Sequence, residues 1–543
     1  MGRNPAYLIE ADHGVVATEN KRCSNLGVDI LRKEGTAVDA AIAATLCIGV
    51  VNSFSSGIGG GGYMTVRVPP PNPGEKSKVY TIDFRGMAPA ATTPTMFNGR
   101  KNDSETGGLS ILIPGELAGL QLAHDEWGAL SWKEIVVRNA ELAMGWTVDK
   151  ELARRLQACW FSETFIKDPD FNRIFAPNGT ILGEGDMIER NDYARTLLRV
   201  AEEGAQVFYN GSDITLALVA KINATGGHAT LKDFEDYKPL LYRSLEGTYH
   251  GKKLYTPRAP SSGPVLLHML NLVEGYNFTR RNGLDTHRMV EAMKFGNAEK
   301  SRMSDPRFRY DTTLIDEIHT KQFADEIRER LDDGRTHPTE YYRPLYTLKP
   351  DPGTSHVSVV DTNGMMVSIT SSINSFWGSR VLDPQTGVVL NNHMNDFKVP
   401  YHNHFGSSGN LPKAGKRPLS SMCPTIVETA DGSPYIAIGA SGGPTIFPAV
   451  FQTLINIIDY ELDPSEAIEF GRLHNQLKPE GTYADETYRA DILEALSRRR
   501  HHIEVLDIYR NGSLCVQAVM RDPISGRFLG ASDSRKNGVA AGY

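Results

Sequence analysis

A predicted β-hairpin constrains the fold of this chain more than any other part of the sequence. Residues 356–360 and 365–370 are short runs rich in β-branched and apolar residues, and Asn363 and Gly364 lie between them. Asn-Gly is typical of a two-residue hairpin loop, because both central residues of that loop need positive φ angles. The returning strand is therefore predicted to lie alongside Thr354 and to hold its hydroxyl at the end of a rigid element.

The side chains of this hairpin should alternate between two faces. Thr354, His356 and Ser358 are predicted to share one face, since successive residues of a strand point in opposite directions. A Thr that begins a strand usually has no further role, because β-branched residues favour strands. His356 could act as a base, but strand spacing leaves it at some distance from Thr354, and we expect it to make a structural hydrogen bond.

Composition excludes several classes of function. The chain has 543 residues, 40% of them hydrophobic, which is enough to bury a substantial core. Lys and Arg number 58 against 65 Asp and Glu, a net charge of −7, whereas a nucleic-acid surface is usually basic. The longest apolar run, 40–51, is shorter than the roughly 18 to 20 residues of a membrane helix. Residues 1–7 lack the apolar core of a signal peptide. We expect a soluble globular protein.

Two kinds of periodicity divide the chain near residue 353. Before it, apolar residues recur three or four apart, which predicts helices over 23–32, 37–50, 132–144, 194–203, 213–223, 286–302 and 321–331, with strands over 63–68 and 79–84. After it, short strands such as 434–439 and 514–521 surround a helical pair, 447–458 and 464–470. Without a strict βαβ rhythm, this mixture favours an α+β arrangement of layered sheets covered by helices.

Seven motifs together resemble those of one enzyme family. They are DAAIAA (39–44), GIGGG (57–61), DFRG (83–86), NNHMNDF (391–397), RPLSSMCPT (417–425), GASGG (439–443) and ASDSRK (531–536). In this order they resemble the γ-glutamyltransferases, also called glutathione hydrolases. The similarity covers nearly the whole chain and is densest after residue 353.

The resemblance implies a fold and a processing event. The fold is a four-layer αββα sandwich of the N-terminal nucleophile hydrolase type, one intertwined body. The chain would cut itself between Gly353 and Thr354. The products would be a large subunit, 1–353, with mostly helical outer layers plus strands, and a small catalytic subunit, 354–543, which together form a heterodimer. Residues 349–353 are the predicted exposed linker.

Cleavage would convert Thr354 into a nucleophile with its own base. A free α-amine has a reference pKa of about 7.7 to 8.0, which suits general-base catalysis near neutral pH. The resemblance places Gly442 and Gly443 as backbone donors to the oxyanion. It also places Ser372 as support for the nucleophile, where the family usually has Thr, and Asn374 in contact with the substrate.

A γ-glutamyl group carries a carboxylate and an ammonium at its far end. By resemblance, Arg85 binds the carboxylate, with Ser420 and Ser421 as further donors, and Asp396 pairs with the ammonium. At His393 the family usually has Glu or Gln. A protonated His would repel the ammonium, so we predict weaker substrate binding below about pH 6.5, the reference value for His.

The cysteines and glycosylation motifs bear on the compartment. By resemblance, Cys23 and Cys47 match a disulfide pair of animal relatives, and the alternative is two buried thiols. With five cysteines and no CxxC pair, we predict no zinc site. The resemblance implies neither a metal nor an organic cofactor. It implies a secreted, cell-surface or vacuolar location, with the export or anchor segment not present in this chain, in agreement with sequons at Asn102, Asn178, Asn210, Asn223, Asn277 and Asn511.

The predicted function is cleavage of the γ-glutamyl amide of glutathione or its conjugates, with transfer to water or to amino acids or dipeptides. One alternative is an acylase of the same fold that acts on another amide. Another is an uncleaved, inactive relative that acts as a binding protein. A third, a dinucleotide enzyme, would use the GxGxxG pattern at 57–62, but the residues after it read as a strand rather than the required helix.

Overall fold

The computed structural model describes residues 6–72, 74–345, 353–398, 409–507 and 514–543. Its strands, numbered in chain order, are β1 Ile9–Ala11, β2 Val15–Thr18, β3 Gly61–Val68, β4 Lys78–Asp83, β5 Trp146–Thr147, β6 Met187–Ile188, β7 Leu240–Arg243, β8 Leu245–Tyr249, β9 Lys252–Thr256, β10 Gly353–Val360, β11 Met366–Asn374, β12 Val381–Leu382, β13 Val389–Leu390, β14 Thr425–Glu428, β15 Pro434–Ser441, β16 Leu473–His474, β17 Thr482–Asp485, β18 Ile503–Leu506, β19 Cys515–Arg521, β20 Phe528–Ser532 and β21 Ala541–Gly542.

The helices surround these strands on both sides. They are α1 Lys21–Arg32, α2 Ala37–Val51, α3 Glu116–Trp127, α4 Trp132–Ala143, α5 Lys150–Leu156, α6 Cys159–Lys167, α7 Pro169–Phe175, α8 Asn191–Glu203, α9 Asp213–Ala224, α10 Leu231–Glu235, α11 Gly263–Glu274, α12 Gly283–Lys300, α13 Thr313–Glu317, α14 Lys321–Arg328, α15 Thr339–Tyr342, α16 Ile446–Ile458, α17 Pro464–Glu469 and α18 Ala490–Arg498.

Two seven-stranded antiparallel sheets form the centre of the molecule. The first sheet, which contains Thr354, has the order β21-β2-β10-β11-β3-β4-β7, and the second sheet has the order β1-β20-β19-β15-β14-β9-β8. The sheets pack face to face through β10, β11, β15 and β19. Helices α1 and α2 cover the first sheet, and α11, α16 and α17 cover the second. The expected four-layer αββα sandwich is confirmed.

Each interface between layers has its own hydrophobic core. Helix α2 is buried at every position, because it lies between the first sheet and the helices α1, α3 and α4. Its start is fixed by a capping box, in which Thr36 and Asp39 satisfy each other's backbone N–H groups. Between the two sheets, a smaller cluster of residues such as Val15, Met366 and Val519 fills the space.

The turn of the central hairpin differs from the prediction. Strands β10 and β11 pair as far as Val360 and Met366, so the loop is longer than two residues. Of the two residues expected to have positive φ, Gly364 does, at 77°, and Asn363 does not. The side chain of Asp361 explains the difference, because its carboxylate accepts the N–H of Asn363 and fixes a wider turn.

Sequence periodicity located many of the elements. The predicted helices agree with α1, α2, α4, α8, α9, α12, α14, α16 and α17 to within a few residues. Helix α11 was missed, because its buried apolar sequence lacks a polar face. After the glycine-rich segment, β3 begins at Gly61, so the helix that dinucleotide binding requires is not present there.

Candidate active site

The two central strands place Thr354 opposite Ser372. Gly353 is paired with Asn374, and the register shifts between Gly353 and Thr354. Thr354 Oγ1 donates to Ser372 Oγ at 3.0 Å, and Ser372 Oγ donates to the carbonyl oxygen of Gly353 at 2.6 Å. The N–H of Asn374 donates to the same Ser372 oxygen at 2.7 Å. The Ser372 hydroxyl therefore contacts Thr354 Oγ1 and the carbonyl oxygen of Gly353, on the two sides of the peptide bond between these residues. The methyl group of a Thr at position 372 is not needed for either contact.

A buried ion pair between Lys536 and Glu19 contacts the backbone of Thr354. Lys536 Nζ donates to the carbonyl oxygen of Thr354 at 2.9 Å and to Ser441 Oγ at 2.8 Å. Both carboxylate oxygens of Glu19 lie 3.2 Å from the same ammonium, and Glu19 also accepts from Ser355. Sequence reasoning missed Glu19 and Lys536 as site residues, although Lys536 closes the ASDSRK motif.

Gly442 and Gly443 follow this network directly. They come after Ser441 at the end of β15, with φ angles of 124° and 61°. L side chains rarely adopt such angles, so glycine is favoured at both positions, and neither residue has a side chain of its own beside its N–H group. The structure thus brings the two predicted oxyanion donors next to the residue that shares Lys536 with Thr354.

The glycine-rich segment that leads into β3 packs closely against β11. A Cβ added at Gly60 would lie 2.1 Å from the carbonyl oxygen of Ser372, and one at Gly62 would lie 1.9 Å from that of Thr370. No side chain fits at either distance, so close backbone packing accounts for these glycines.

Arg85 and Asp396, 311 positions apart, contact each other directly. Arg85 Nη2 donates to Asp396 Oδ2, with 2% and 13% of the two side chains exposed. The N–H of Arg85 donates to Asp83, which forms a buried ion pair with Arg417. The structure therefore joins three of the recognised motifs. It also pairs the two side chains that the sequence assigned to opposite charges of a substrate.

Ser420 and Ser421 lie on the segment that Arg85 contacts. Arg85 Nη2 is 3.4 Å from the carbonyl oxygen of Leu419. Ser420 is buried, and its Oγ accepts the N–H of Met422 at 3.1 Å. Ser421 is half-buried, so part of the residue is accessible to solvent.

His393 also lies in this region, and its tendency to take up a proton differs from the one that the sequence predicted. It is fully buried, and neither ring nitrogen has a hydrogen-bond partner among the described residues. Burial, with a smaller contribution from Arg85, holds the pKa of His393 well below its ordinary value. The predicted loss of binding below pH 6.5 through protonation of His393 is therefore wrong.

Asn374 is held in a strained backbone conformation. Its φ is 80°, which is unusual for a residue other than glycine, and its Nδ2 donates to the carbonyl oxygen of Asn392 at 3.1 Å. Such strain persists only where surrounding contacts enforce it, and it is concentrated at functional sites.

His356 has the structural role that the sequence predicted. Its ring nitrogens contact Thr370 Oγ1 at 2.8 Å and Ser358 Oγ at 2.9 Å, and the ring packs against Gly439 of the second sheet. Burial lowers the pKa of His356 to about 3. A neutral, fully bonded imidazole between two sheets positions strands rather than substrate.

Cys23 and Cys47 form a disulfide that joins α1 to α2. The predicted pairing is confirmed, and the alternative of two buried thiols is excluded. Among the cysteines whose side chains are described, Cys423 and Cys515 are free and buried.

One cluster outside the hairpin has the composition of a metal site. His287, Glu291 and His501 place potential ligand atoms within 4.8 Å of one another. His287 Nδ1 already contacts His501 Nε2 at 2.7 Å, and Glu291 accepts from Thr336 and Tyr342 at 2.6 Å. Hydrogen bonds within the protein account for this cluster.

Two further observations bear on the cellular location. Every helix in that region is too short or too polar to cross a bilayer. Five of the sequon asparagines are exposed, and the sixth, Asn511, lies outside the described residues.

Comparisons with known proteins agree with this geometry. A sequence model of the family described as Gamma-glutamyltranspeptidase matches residues 23–543. The chain belongs to the γ-glutamyltranspeptidase family. The predicted resemblance is confirmed, and the chain is an enzyme of the γ-glutamyltransferase and glutathione hydrolase class.

Individual relatives of this γ-glutamyltranspeptidase family member cover most of its length. Glutathione hydrolase proenzyme 1 of Schizosaccharomyces pombe is 37% identical over 99% of this chain and 85% of its own. Glutathione hydrolase 3 of Arabidopsis thaliana is 36% identical over 87% of this chain and 74% of its own. The crystal structure of a cephalosporin acylase from Bacillus halodurans is similar at a TM-score of 0.88 and 25% identity, covering 100% of this chain and 98% of that one.

Proposed function

We propose that this enzyme cleaves the γ-glutamyl amide bond of glutathione and glutathione conjugates through an ester on Thr354. It passes the γ-glutamyl group to water, or to the amino group of an amino acid or dipeptide. The observation that carries the proposal is the position of Thr354, whose hydroxyl and carbonyl group are both held by buried partners. The names of relatives from Schizosaccharomyces pombe and Arabidopsis thaliana, which are glutathione hydrolases, support this choice of substrate.

The chain first cleaves itself between Gly353 and Thr354. Thr354 Oγ1 attacks the carbonyl carbon of Gly353, the C–N bond breaks, and an ester joins the two residues while the nitrogen of Thr354 becomes a free amine. Water then hydrolyses the ester and leaves fragments 1–353 and 354–543, which remain associated as a heterodimer. Ser372 stabilises the developing oxyanion through its hydrogen bond to the Gly353 oxygen. The word proenzyme in the name of the Schizosaccharomyces pombe relative supports this step.

The mature enzyme acts through the same hydroxyl. The free α-amine of Thr354 takes the hydroxyl proton as Oγ1 attacks the γ-carbonyl carbon of the donor, and the N–H groups of Gly442 and Gly443 bind the oxyanion. The amine returns the proton to the leaving nitrogen, and cysteinylglycine departs from glutathione. The amine then deprotonates water or an acceptor amine, whose attack on the ester releases glutamate or a new γ-glutamyl amide.

Two opposite charges select the donor. Arg85 binds the α-carboxylate and Asp396 binds the α-ammonium. Substrate binding therefore replaces the ion pair that the two side chains form with each other by two ion pairs to the substrate. Ser420 and Ser421 add hydroxyl donors to the carboxylate, and Asn374 and neutral His393 border the same group. Exchanging one buried ion pair for two retains charge neutrality, which limits the cost of desolvation. No cofactor takes part in the proposed reaction.

A second candidate is an acylase of the same fold that acts on another amide. The similarity to a cephalosporin acylase over the whole chain favours it. The buried pair of Arg85 and Asp396 argues against it, because only a donor with both charges at one carbon replaces both partners. Export to the cell surface, the medium or the vacuole is part of the proposal and is supported by the exposed sequons.

Mass spectrometry and one assay test the proposal together. We expect two fragments that meet at 353/354 and release of p-nitroaniline from γ-glutamyl-p-nitroanilide, accelerated by a dipeptide acceptor. Thr354→Ala should yield a single chain without activity, and His356→Gln, which alters a buried imidazole outside the proposed chemistry, should still be cleaved if it folds. An active, unbroken chain would refute the mechanism. Cleavage of glutaryl-p-nitroanilide in preference to the γ-glutamyl compound would favour the acylase.

A further inference from the structure

A buried lysine, Lys300, contacts Ser421, one of the residues proposed to bind the carboxylate of the donor. Lys300 is the last residue of α12, is 2% exposed, and donates from Nζ to Ser421 Oγ at 2.5 Å. Its ammonium also lies 5.0 Å from the centre of the Phe447 ring. A lysine at the C-terminus of an 18-residue helix is favoured by the helix dipole.

The contact determines where the Ser421 proton can point. An ammonium has only donors, so Ser421 Oγ must be the acceptor, and its own hydrogen is left for another partner. Among the described residues, the Ser421 side chain makes no other hydrogen bond, and Ser421 is half-buried, so part of the residue is accessible to solvent. Lys300 therefore fixes Ser421 as a donor that faces the space beside it.

The segment that carries Ser421 is held on both sides. Arg85 contacts the carbonyl oxygen of Leu419 at 3.4 Å, and Ser262 Oγ donates to the carbonyl oxygen of Ser420 at 2.7 Å. Two cationic side chains thus contact one short stretch of chain from opposite ends. An anion bound beside this stretch would meet the Arg85 guanidinium directly and the Lys300 charge through one hydroxyl.

We infer that Lys300 is a positioning residue for the α-carboxylate of the donor, and that it acts through the Ser421 hydroxyl. This inference rests on the proposed function, since it concerns the carboxylate of a γ-glutamyl group. The expected consequence is a requirement for donors with a free α-carboxylate. A hydrogen bond polarised by an ammonium is stronger than one from an isolated hydroxyl, so removal of Lys300 should weaken ground-state binding more than the chemical step.

Steady-state kinetics with γ-glutamyl-p-nitroanilide test the inference. For Lys300→Met we expect KM to rise about 10-fold while kcat changes by less than about 2-fold. Ser421→Ala should give a similar rise, and the double variant should be no worse than the more impaired single variant. Lys300→Arg, which keeps a cationic donor, should recover most of the lost binding. If the methionine variant does not fold, Lys300→Gln provides the same comparison.

Lys294→Met is the matched control. Lys294 lies on the same helix and is also buried, but its Nζ donates to Thr336 Oγ1 and to the carbonyl oxygen of His337. Its loss should lower thermal stability and leave KM within about 2-fold of the wild type. Independent, multiplying effects of Lys300→Met and Ser421→Ala on KM, or a fall in kcat alone, would overturn the inference while the proposed function stands. A wild type inactive on γ-glutamyl-p-nitroanilide would instead refute the proposed function.

Discussion

Ser372 Oγ lies 2.6 Å from the carbonyl oxygen of Gly353 and donates a hydrogen bond to it. Ser372 Oγ also accepts a hydrogen bond from Thr354 Oγ1 at 3.0 Å. The Ser372 hydroxyl therefore orients the Thr354 hydroxyl, which is the proposed attacking group, and polarises the Gly353 carbonyl, which is the group attacked. The contact follows from the cross-strand pairing of Thr354 with Ser372.

Ser372→Ala should therefore slow self-cleavage. We expect the precursor to persist at least about 10-fold longer, because one oxyanion donor is worth roughly a factor of 100 or more in established enzymes. Ser372→Thr keeps the hydroxyl and should be cleaved at a rate close to the wild type. Gel electrophoresis of freshly purified precursor over time measures the rate. Equal half-lives for the alanine variant and the wild type would show that this hydroxyl has no part in cleavage.

The pair of Arg85 and Asp396 predicts linked effects on binding and stability. Arg85→Met should raise KM for a γ-glutamyl donor by roughly 10- to 100-fold, since a hydrogen bond to a charged group contributes about 1.5 to 3 kcal/mol. It should also destabilise the fold by about 3 kcal/mol, because Asp396 loses its partner.

Lys33→Met provides the control for stability. It breaks an exposed ion pair with Glu134, in which 46% of the Lys33 side chain and 37% of the Glu134 side chain are exposed, and should leave stability nearly unchanged. Urea unfolding and initial-rate kinetics give both quantities. An Arg85 variant with unchanged KM would place the donor carboxylate elsewhere.

The electrostatic state of His393 predicts a pH profile. A His whose folded pKa is well below its ordinary value stays neutral in the folded protein at pH values where an ordinary His takes up a proton. The acidic limb of kcat/KM should then be the same in the wild type and in His393→Gln, and should reflect the α-amine of Thr354. A limb that shifts in the glutamine variant would restore His393 as the titrating group.

The stability contributed by His393 has the opposite sign to that of a paired histidine. Below about pH 6.5 the unfolded chain binds a proton at this residue that the folded chain does not, so folding stability falls as pH decreases. His393→Gln should lose less stability than the wild type between pH 7 and pH 5. Thermal unfolding at the two pH values makes the comparison.

Glu116 should make the protein less stable as pH rises. It is fully buried and accepts a hydrogen bond from Ser371, and burial raises its pKa to about 7. The folded state holds a proton between about pH 4.5 and 7 that the unfolded state has lost, so stability decreases across this range, by about 3 kcal/mol when complete.

Glu116→Gln removes this titration while keeping a similar shape. Relative to the wild type, it should gain about 2.5 kcal/mol of stability on going from pH 5 to pH 8, measured by urea unfolding. Glu134→Gln, at an exposed position, should show no such gain. The same pH dependence in the wild type and in Glu116→Gln would mean that Glu116 is ionised in the folded protein.

Local sequence patterns were sufficient where neighbours in the chain determine the structure. Periodicity predicted the helices α2 and α16 and the strand that follows the glycine-rich segment. It also predicted that Thr354 would lie beside the returning strand. The turn after β10 was not, because the carboxylate of Asp361 competes for the same backbone N–H groups as the expected loop.

The site residues show the same distinction between what local sequence patterns predict and what long-range packing decides. Motifs identified Arg85, Asp396 and Ser421 one at a time, but no pattern in the sequence showed that Arg85 would contact Asp396 or that Lys300 would contact Ser421. Residues hundreds of positions apart meet only when whole layers pack, and periodicity carries no information about that.

The amino-acid sequence by itself determined the class of the protein: an α+β sandwich with a threonine at the head of a central strand and the motifs of one enzyme family around it. Only the tertiary structure decided which charges neutralise each other and which groups lose contact with water. Glu19 gained a lysine 517 positions away, and His393 lost its ability to take up a proton near neutral pH. The reason is that ionisation depends on burial and on long-range neighbours, and both are properties of the packed fold.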